Sequence, residues 1–204
     1  MILENYYYYF KSALSTKFCE DILNFSKQFE PKVGQTFGNP NIENNTTKNR
    51  KSNVIFIDEK WIYKEIHPFI HEANIRSGWN FQWDFSESCQ FTKYGVGQYY
   101  GWHCDSYKEP YHNNPNTNLN GKIRKLSVTV SLSEPEDYDG GDLEFDFRDT
   151  VIKKRVSSRL HTCDEIKPRG SIVIFPSFVW HRVTPVTRGT RYSFVVWNLG
   201  YPFK

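Results

Sequence analysis

Residues 125–133 read KLSVTVSLS, and their alternation decides the fold class. Leu126, Val128, Val130 and Leu132 recur at every second position, the period of a β-strand, whose successive side chains point to opposite faces. Residues 142–147 alternate in the same way, with Leu143, Phe145 and Phe147 on one side. Working outward, candidate strands fall at 79–85, 89–95, 100–105, 165–175, 181–186 and 191–199. Turn signals at Asp139-Gly140-Gly141, Pro168-Arg169-Gly170 and Arg188-Gly189 separate them. Many short strands without β-α-β alternation predict a mainly β fold with flanking α-helices, built on a double-stranded β-helix or jelly-roll core.

Helical spacing precedes this region. Over residues 15–30, Phe18, Ile22, Phe25 and Phe29 form an apolar stripe that Cys19 and Leu23 widen. Ser15 or Thr16 is the expected N-cap and Pro31 the stop. After a short strand at 54–57, Asp58 is the expected N-cap of a second helix with Trp61, Ile62, Ile66, Phe69, Ile70 and Ala73 on its apolar side. Pro68 predicts a kink or a break there. Residues 34–53 and 107–122 read as long polar loops suited to lids or recognition surfaces, and the basic stretch 148–162 as a hairpin connection. The 204 residues read as one domain, 1–204, with helical support over about 1–78 and the jelly-roll core over about 79–200.

Composition narrows the function class. Aromatic content of 17% suits a packed β core. No apolar run approaches the roughly 20 residues that span a membrane, and MILENYYYYFKSAL has neither a basic n-region nor a small-residue cleavage site. The expectation is a cytoplasmic protein with no membrane partner. Cys19, Cys89, Cys104 and Cys163 are scattered without a C-x-x-C, which argues against structural zinc. A net charge of +3, from 26 basic and 23 acidic residues, is too balanced to indicate a nucleic-acid partner.

The chemistry-bearing stretch is 94–105, YGVGQYYGWHCD. On a strand, His103 and Asp105 project to one face as a metal requires, Cys104 packs on the other, and His181 is the candidate third ligand. Two histidines and a carboxylate make the facial triad of non-haem Fe(II) oxygenases. An H-x-D pair alone arises readily by chance, so its neighbours decide. If the strands of His181 and Arg191 are adjacent, Arg191 points into the barrel and its guanidinium can fork onto a carboxylate; a surface ion pair is the plainer alternative. The Tyr94 phenol could reach the same anion or simply pack, and Gly97 and Gly101 would let the backbone turn between strands.

The spacing Tyr94-x-x-Gly97-x-x-Tyr100-x-x-His103-x-Asp105 resembles the signature of the prolyl 4-hydroxylase-like 2-oxoglutarate/Fe(II) dioxygenases. Residues 124–143, with their Gly140-Gly141-Asp142 turn, and residues 168–191 look like later segments of the same family. The resemblance implies His103, Asp105 and His181 as Fe(II) ligands, and Arg191, assisted by Tyr94, as the holder of the distal carboxylate of 2-oxoglutarate. It implies Arg124, Tyr100, Trp197 and Arg50 as substrate-side residues, Arg50 and Ser52 forming an R-x-S element in a loop over the site. Fe(II), 2-oxoglutarate as co-substrate and dioxygen follow, with ascorbate as reductant. The implied reaction hydroxylates a peptidyl or free prolyl, or similar aliphatic, substrate and releases succinate and carbon dioxide. Asp105 favours hydroxylation over halogenation, whereas Leu199 stands where some relatives have a substrate-contacting His and leaves the substrate open. Two alternatives are a nucleic-acid demethylase of the same superfamily, disfavoured because RGTRYSFVVW lacks an R-x-N-x-x-x-R segment, and a non-catalytic jelly-roll binding module.

Overall fold

Two opposed β-sheets, one backed by helices, build the computed structural model, which describes residues 3–35, 49–106, 109–147 and 160–203. In chain order the elements begin β1 (Tyr8–Phe10), α1 (Thr16–Ser26), β2 (Lys32–Val33), β3 (Arg50–Lys51), β4 (Asn53–Ile57) and α2 (Lys60–Arg76). Next come β5 (Phe85–Ser86), β6 (Cys89–Tyr94), β7 (Tyr99–His103), β8 (Ile123–Ser131), β9 (Tyr138–Gly140) and β10 (Leu143–Asp146). The chain continues with β11 (Leu160–Thr162), β12 (Ile172–Pro176), β13 (Trp180–Val183), β14 (Val186–Gly189) and β15 (Arg191–Gly200). One antiparallel sheet runs β1-β12-β8-β15-β6-β4-β2 with β5 beside β15, the second runs β11-β10-β13-β7-β3, and β9 pairs with β14. This is the expected jelly-roll core with helices outside.

The central strand β8 is buried along its whole length. Its apolar positions Leu126, Val128 and Val130, continued by Leu132, join Ile172, Ile174, Phe194 and Val196 of the neighbouring strands against the helices. Phe18, Cys19 and Ile22 of α1 and Ile62, Ile66, Ile70 and Ala73 of α2 complete that layer. Each Leu, Ile, Val or Phe side chain among them, fully buried, is worth about 1.5–3 kcal/mol. The alternate positions Ser127, Thr129 and Ser131 are equally buried but face the second sheet. Polar residues of an alternating antiparallel strand ordinarily meet water; here they line an interior.

Helix ends differ from expectation for local reasons. Ser15 caps α1, its hydroxyl accepting from the Phe18 N–H at 3.1 Å. The helix stops at Ser26 because the N–H groups of Lys27, Gln28 and Phe29 bond three residues back, which tightens the last turn and leaves Phe29 exposed. Asp58 does not cap α2; Glu59 holds the N-cap position without a side-chain bond, and Asp58 accepts from the Tyr63 hydroxyl. Nor does Pro68 break α2. Proline removes the bond to the carbonyl four residues back, and both Lys64 and Pro68 are exposed, so water can serve that carbonyl.

Several expected strands are shorter. Residues 79–84 form none, because the Asn74 side chain takes the Phe81 backbone, Nδ2 donating to its carbonyl at 2.9 Å and Oδ1 accepting its N–H at 3.0 Å. Residues 164–166 are a 3-10 turn, Asp164–Ile166, and the chain turns again at Gly170 before β12 begins. The expected strand 181–186 ends at Val183, and β14 starts separately beyond Pro185. Strands β1, β2, β9 and β11 were not foreseen. Most of the expected loop 34–53, residues 107–108 and most of the connection 148–162 lie outside the described residues. The described parts of the first form β3 and the start of β4, and those of the last form β11. From residue 109 the Asn-rich insert folds on itself through Asn114 and Asn120. Among the described residues no helix is long and apolar enough to cross a membrane.

Candidate metal centre and its cavity

Strand pairing brings the two histidines together. His103 on β7 and His181 on β13 are cross-strand partners, and their ring centroids lie 4.1 Å apart. Asp105 does not share a strand face with His103, because β7 ends at His103. Instead the N–H groups of Asp105 and Ser106 both donate to the Ser177 carbonyl, at 2.8 and 2.9 Å. The Ser127 hydroxyl donates to Asp105 Oδ2 at 2.7 Å. The carboxylate then lies 3.7 Å from His103 Nε2 and 3.6 Å from His181 Nε2. One donor atom from each of the three residues falls within 4.8 Å of the others.

The protons are placed by the second nitrogens. His103 Nδ1 lies 2.8 Å from the Gly101 carbonyl and His181 Nδ1 lies 3.0 Å from the Val179 carbonyl. A nitrogen facing a carbonyl must carry the hydrogen, so a metal would be met by Nε2 of each ring. Burial, reinforced by His181, lowers the His103 pKa to about 3. Burial pushes Asp105 up, but His181, His103, Arg124 and the Ser127 hydrogen bond outweigh it and hold the carboxyl below its usual value. Two imidazoles, each with Nδ1 committed to a backbone carbonyl, and one carboxylate are a donor set that suits Fe(II).

Arg191 reaches the same cavity from the opposite sheet, not from a strand adjacent to that of His181 as the sequence spacing supposed. Its strand neighbour is Tyr94 on β6, and the guanidinium lies 5.6 Å from that ring. Only 2% of Arg191 is exposed, and its side-chain bond is to Ser193 Oγ at 3.2 Å. Among the described residues no carboxylate pairs with it. A buried guanidinium without an anion is costly, so the cavity is built to receive one. Gly141 makes room: at φ +62°, a Cβ there would lie 2.9 Å from Arg191 Cδ.

The remaining predicted residues surround this core. Tyr100 stacks on His103 with centroids 3.6 Å apart. Arg50 is on β3, paired with β7, and lies 4.4 Å from the Tyr100 ring. It donates to Ser52 Oγ, the Gln35 carbonyl and Gln90 Oε1, while its Nη2 is buried without a partner among the described residues. Trp197 lines the cavity, and its Nε1 is likewise unpartnered. Arg124 lies 3.9 Å over the Trp197 ring but forks onto Glu87, with Nε to Oε1 at 2.7 Å. Its guanidinium therefore already holds a carboxylate of its own chain.

Sequence reasoning missed Glu87, Ser127, Ser177 and the role of Gly141. The signal for Ser127 was present in the small polar positions of KLSVTVSLS. Gly97 does occupy the turn after β6, at φ +75°. Gly101 does not; it lies inside β7, where a Cβ would collide with the Asn49 side chain at 2.1 Å. Cys104 is half-buried, its Sγ 3.8 Å from the Ser106 carbonyl.

Known proteins resemble this chain in sequence and in fold. A family model described as the 2OG-Fe(II) oxygenase superfamily matches residues 89–198. A PKHD-type hydroxylase of Hyphomonas neptunium is 44% identical over 103 residues, 50% of this chain and 38% of that protein. A PKHD-type hydroxylase of a Janthinobacterium species is 36% identical over 108 residues, 52% of this chain and 41% of that protein. The match thus spans about two-fifths of the length of these curated relatives. Among solved structures, a viral collagen prolyl hydroxylase from Paramecium Bursaria Chlorella virus-1, in a 2OG complex, superposes with a TM-score of 0.65 at 18% identity, covering 97% of each chain. A Pseudomonas putida prolyl-4-hydroxylase gives 0.64 at 18% identity, covering 96% of this chain and 92% of that one. At such identity the likeness is one of fold.

Proposed function

The chain belongs to the 2OG-Fe(II) oxygenase superfamily, and from that premise we propose that it is a 2-oxoglutarate- and Fe(II)-dependent dioxygenase hydroxylating a peptidyl or free prolyl, or similar aliphatic, substrate. The observation that carries this reading is one cavity holding a His-Asp-His donor set and, across from it, a fully buried guanidinium with no carboxylate beside it among the described residues. The names of the relatives, PKHD-type hydroxylases and prolyl hydroxylases, support the prolyl class.

His103 Nε2, His181 Nε2 and one oxygen of Asp105 would hold the metal, and their other polar side-chain atoms are tied to backbone carbonyls or to Ser127. When bound, Fe(II) supplies the activation of dioxygen that couples oxidation of 2-oxoglutarate to succinate and carbon dioxide with insertion of one oxygen atom into a substrate C–H bond. Arg191 receives the distal carboxylate of the co-substrate, and Tyr94 flanks it. Because Arg191 is buried, that ion pair forms away from competing water. Tyr100 and Trp197 wall the cavity and exclude solvent, while Arg50, held over Tyr100, and Arg124, held by Glu87, lie at its edge on the substrate side. Ascorbate would serve as external reductant for bound iron, and residues 1–204 form a single domain around this cavity.

The test is succinate release from 2-oxoglutarate with anaerobically loaded Fe(II), followed on a library of prolyl peptides and free proline. Substrate-dependent succinate and a hydroxylated product are expected, both lost in His103→Ala and Asp105→Ala. Failure of the purified protein to bind Fe(II) and 2-oxoglutarate by calorimetry would end the proposal.

A further inference from the structure

Asp105 is the one member of the donor set that no strand ladder holds, and two serines have taken over that task. We propose that Ser127, set by Ser177, is a positioning residue that restricts Asp105 to a single ligating oxygen. This deepens the metal-site reading above and rests on it.

A carboxylate that ligates a metal has no hydrogen to give, so it only accepts, and the Ser127 hydroxyl 2.7 Å from Oδ2 must donate to it. A serine has one hydroxyl hydrogen. The 2.9 Å contact between Ser127 Oγ and Ser177 Oγ is therefore made with the Ser177 hydrogen, and the chain runs from Ser177 to Ser127 to Asp105 Oδ2. Donors in series polarise one another, which strengthens the last bond. Both serines are fully buried, so water does not replace either partner. The Ser177 carbonyl, meanwhile, accepts the N–H groups of Asp105 and Ser106, and the Ser177 N–H donates to the Lys125 carbonyl at 2.9 Å. Backbone and carboxylate are thus fixed by the same two residues.

The carboxylate oxygens are left unequal. Oδ2 is committed to Ser127, whereas Oδ1 accepts no hydrogen bond from the described residues. A triad keeps open positions for co-substrate and dioxygen only if each protein ligand occupies one. A carboxylate free to rotate can bind through both oxygens and close one of those positions. Ser127 opposes that rotation.

Cobalt(II) is a redox-inert stand-in whose visible spectrum reports coordination number, so the experiment needs no turnover. Cobalt titrations of the wild type, Ser127→Ala, Ser127→Thr and Ser177→Ala are followed by calorimetry and absorption, with urea unfolding of each metal-free protein as a check on folding. Loss of an outer-shell partner typically weakens metal binding by about 10–100-fold. That range is expected for Ser127→Ala, with an altered spectrum; a smaller loss is expected for Ser177→Ala, and recovery with Ser127→Thr, which keeps the hydroxyl. Wild-type affinity and an unchanged spectrum in a folded Ser127→Ala protein would overturn the assignment while leaving the metal site intact. A wild-type protein that takes up no cobalt would instead overturn the metal-site reading and this inference with it.

Discussion

The two faces of the eight-stranded sheet are buried to the same degree and built from opposite chemistry. Toward α1 and α2 the sheet presents Leu, Ile, Val and Phe in one continuous cluster. Toward the second sheet it presents Ser127, Thr129, Arg191 and Ser193 around a cavity. Burial alone does not separate them. One face supplies the free energy of folding, and the other spends part of it on desolvated polar groups that are only partly satisfied. Stability and site chemistry are thus divided between alternate residues of the same strands.

Substitutions on either side should therefore have separable effects. The largest is expected on the inner face, where His181→Ala should reduce succinate release to background while a spectroscopic check shows a folded protein. Arg191→Met should weaken 2-oxoglutarate binding by roughly 2–5 kcal/mol, the usual cost of losing a buried charged partner. Without co-substrate the same variant should be no less stable, or more stable by about 1–4 kcal/mol, because an unpaired buried charge has been replaced by an apolar chain. Opposite signs in calorimetric titration and urea unfolding would confirm the division; a strongly destabilised apo protein would refute it. On the outer face, Leu126→Ala should cost about 2–5 kcal/mol of stability in urea and leave cobalt affinity unchanged.

Smaller effects test the boundary between the faces. Gly141→Ala imposes a left-handed conformation that costs about 1–2 kcal/mol and crowds Arg191, so both unfolding midpoint and 2-oxoglutarate affinity should drop. In acid, metal-free protein should lose stability as pH falls from about 6.5 toward 3. The unfolded chain takes up a proton at His103 in that window whereas the folded chain does not, so protons favour unfolding. Asp105, held below its usual value, adds a loss in the same direction below the ordinary carboxylate range. Urea midpoints measured between pH 7 and pH 5 should show a shallower slope for His103→Gln than for wild type.

How much of this could be read from residues depended on how local the cause was. The period of KLSVTVSLS and the helical stripe around Ile22 are local, and both survived. His103, Asp105, His181 and Arg191 stood out by residue type and spacing, and the fold brings them around one cavity, but the geometry of that cavity was not legible. Nothing near Arg191 says that β13 and β15 lie in different sheets, and nothing near Asp105 says that the strand ends before it. The Asn74 clamp on Phe81 replaced an expected strand through a partner on another element. Pro68 failed as a helix breaker for a similar reason, since its harm depends on whether water reaches the orphaned carbonyl, which only the packed structure shows.

The ring stack behind His181 bears on the entropy of metal uptake. Phe175 meets that imidazole at 4.7 Å, Phe145 lies at 6.4 Å, and Tyr7 from the segment before β1 stacks on Phe145 at 5.2 Å. With Nδ1 anchored as well, the ring has little torsional freedom left to lose. Its ordering is completed when the chain folds, not when the ion arrives. On this side of the site, metal binding approaches the addition of an ion to a rigid donor, and its temperature dependence should reflect desolvation more than side-chain freezing.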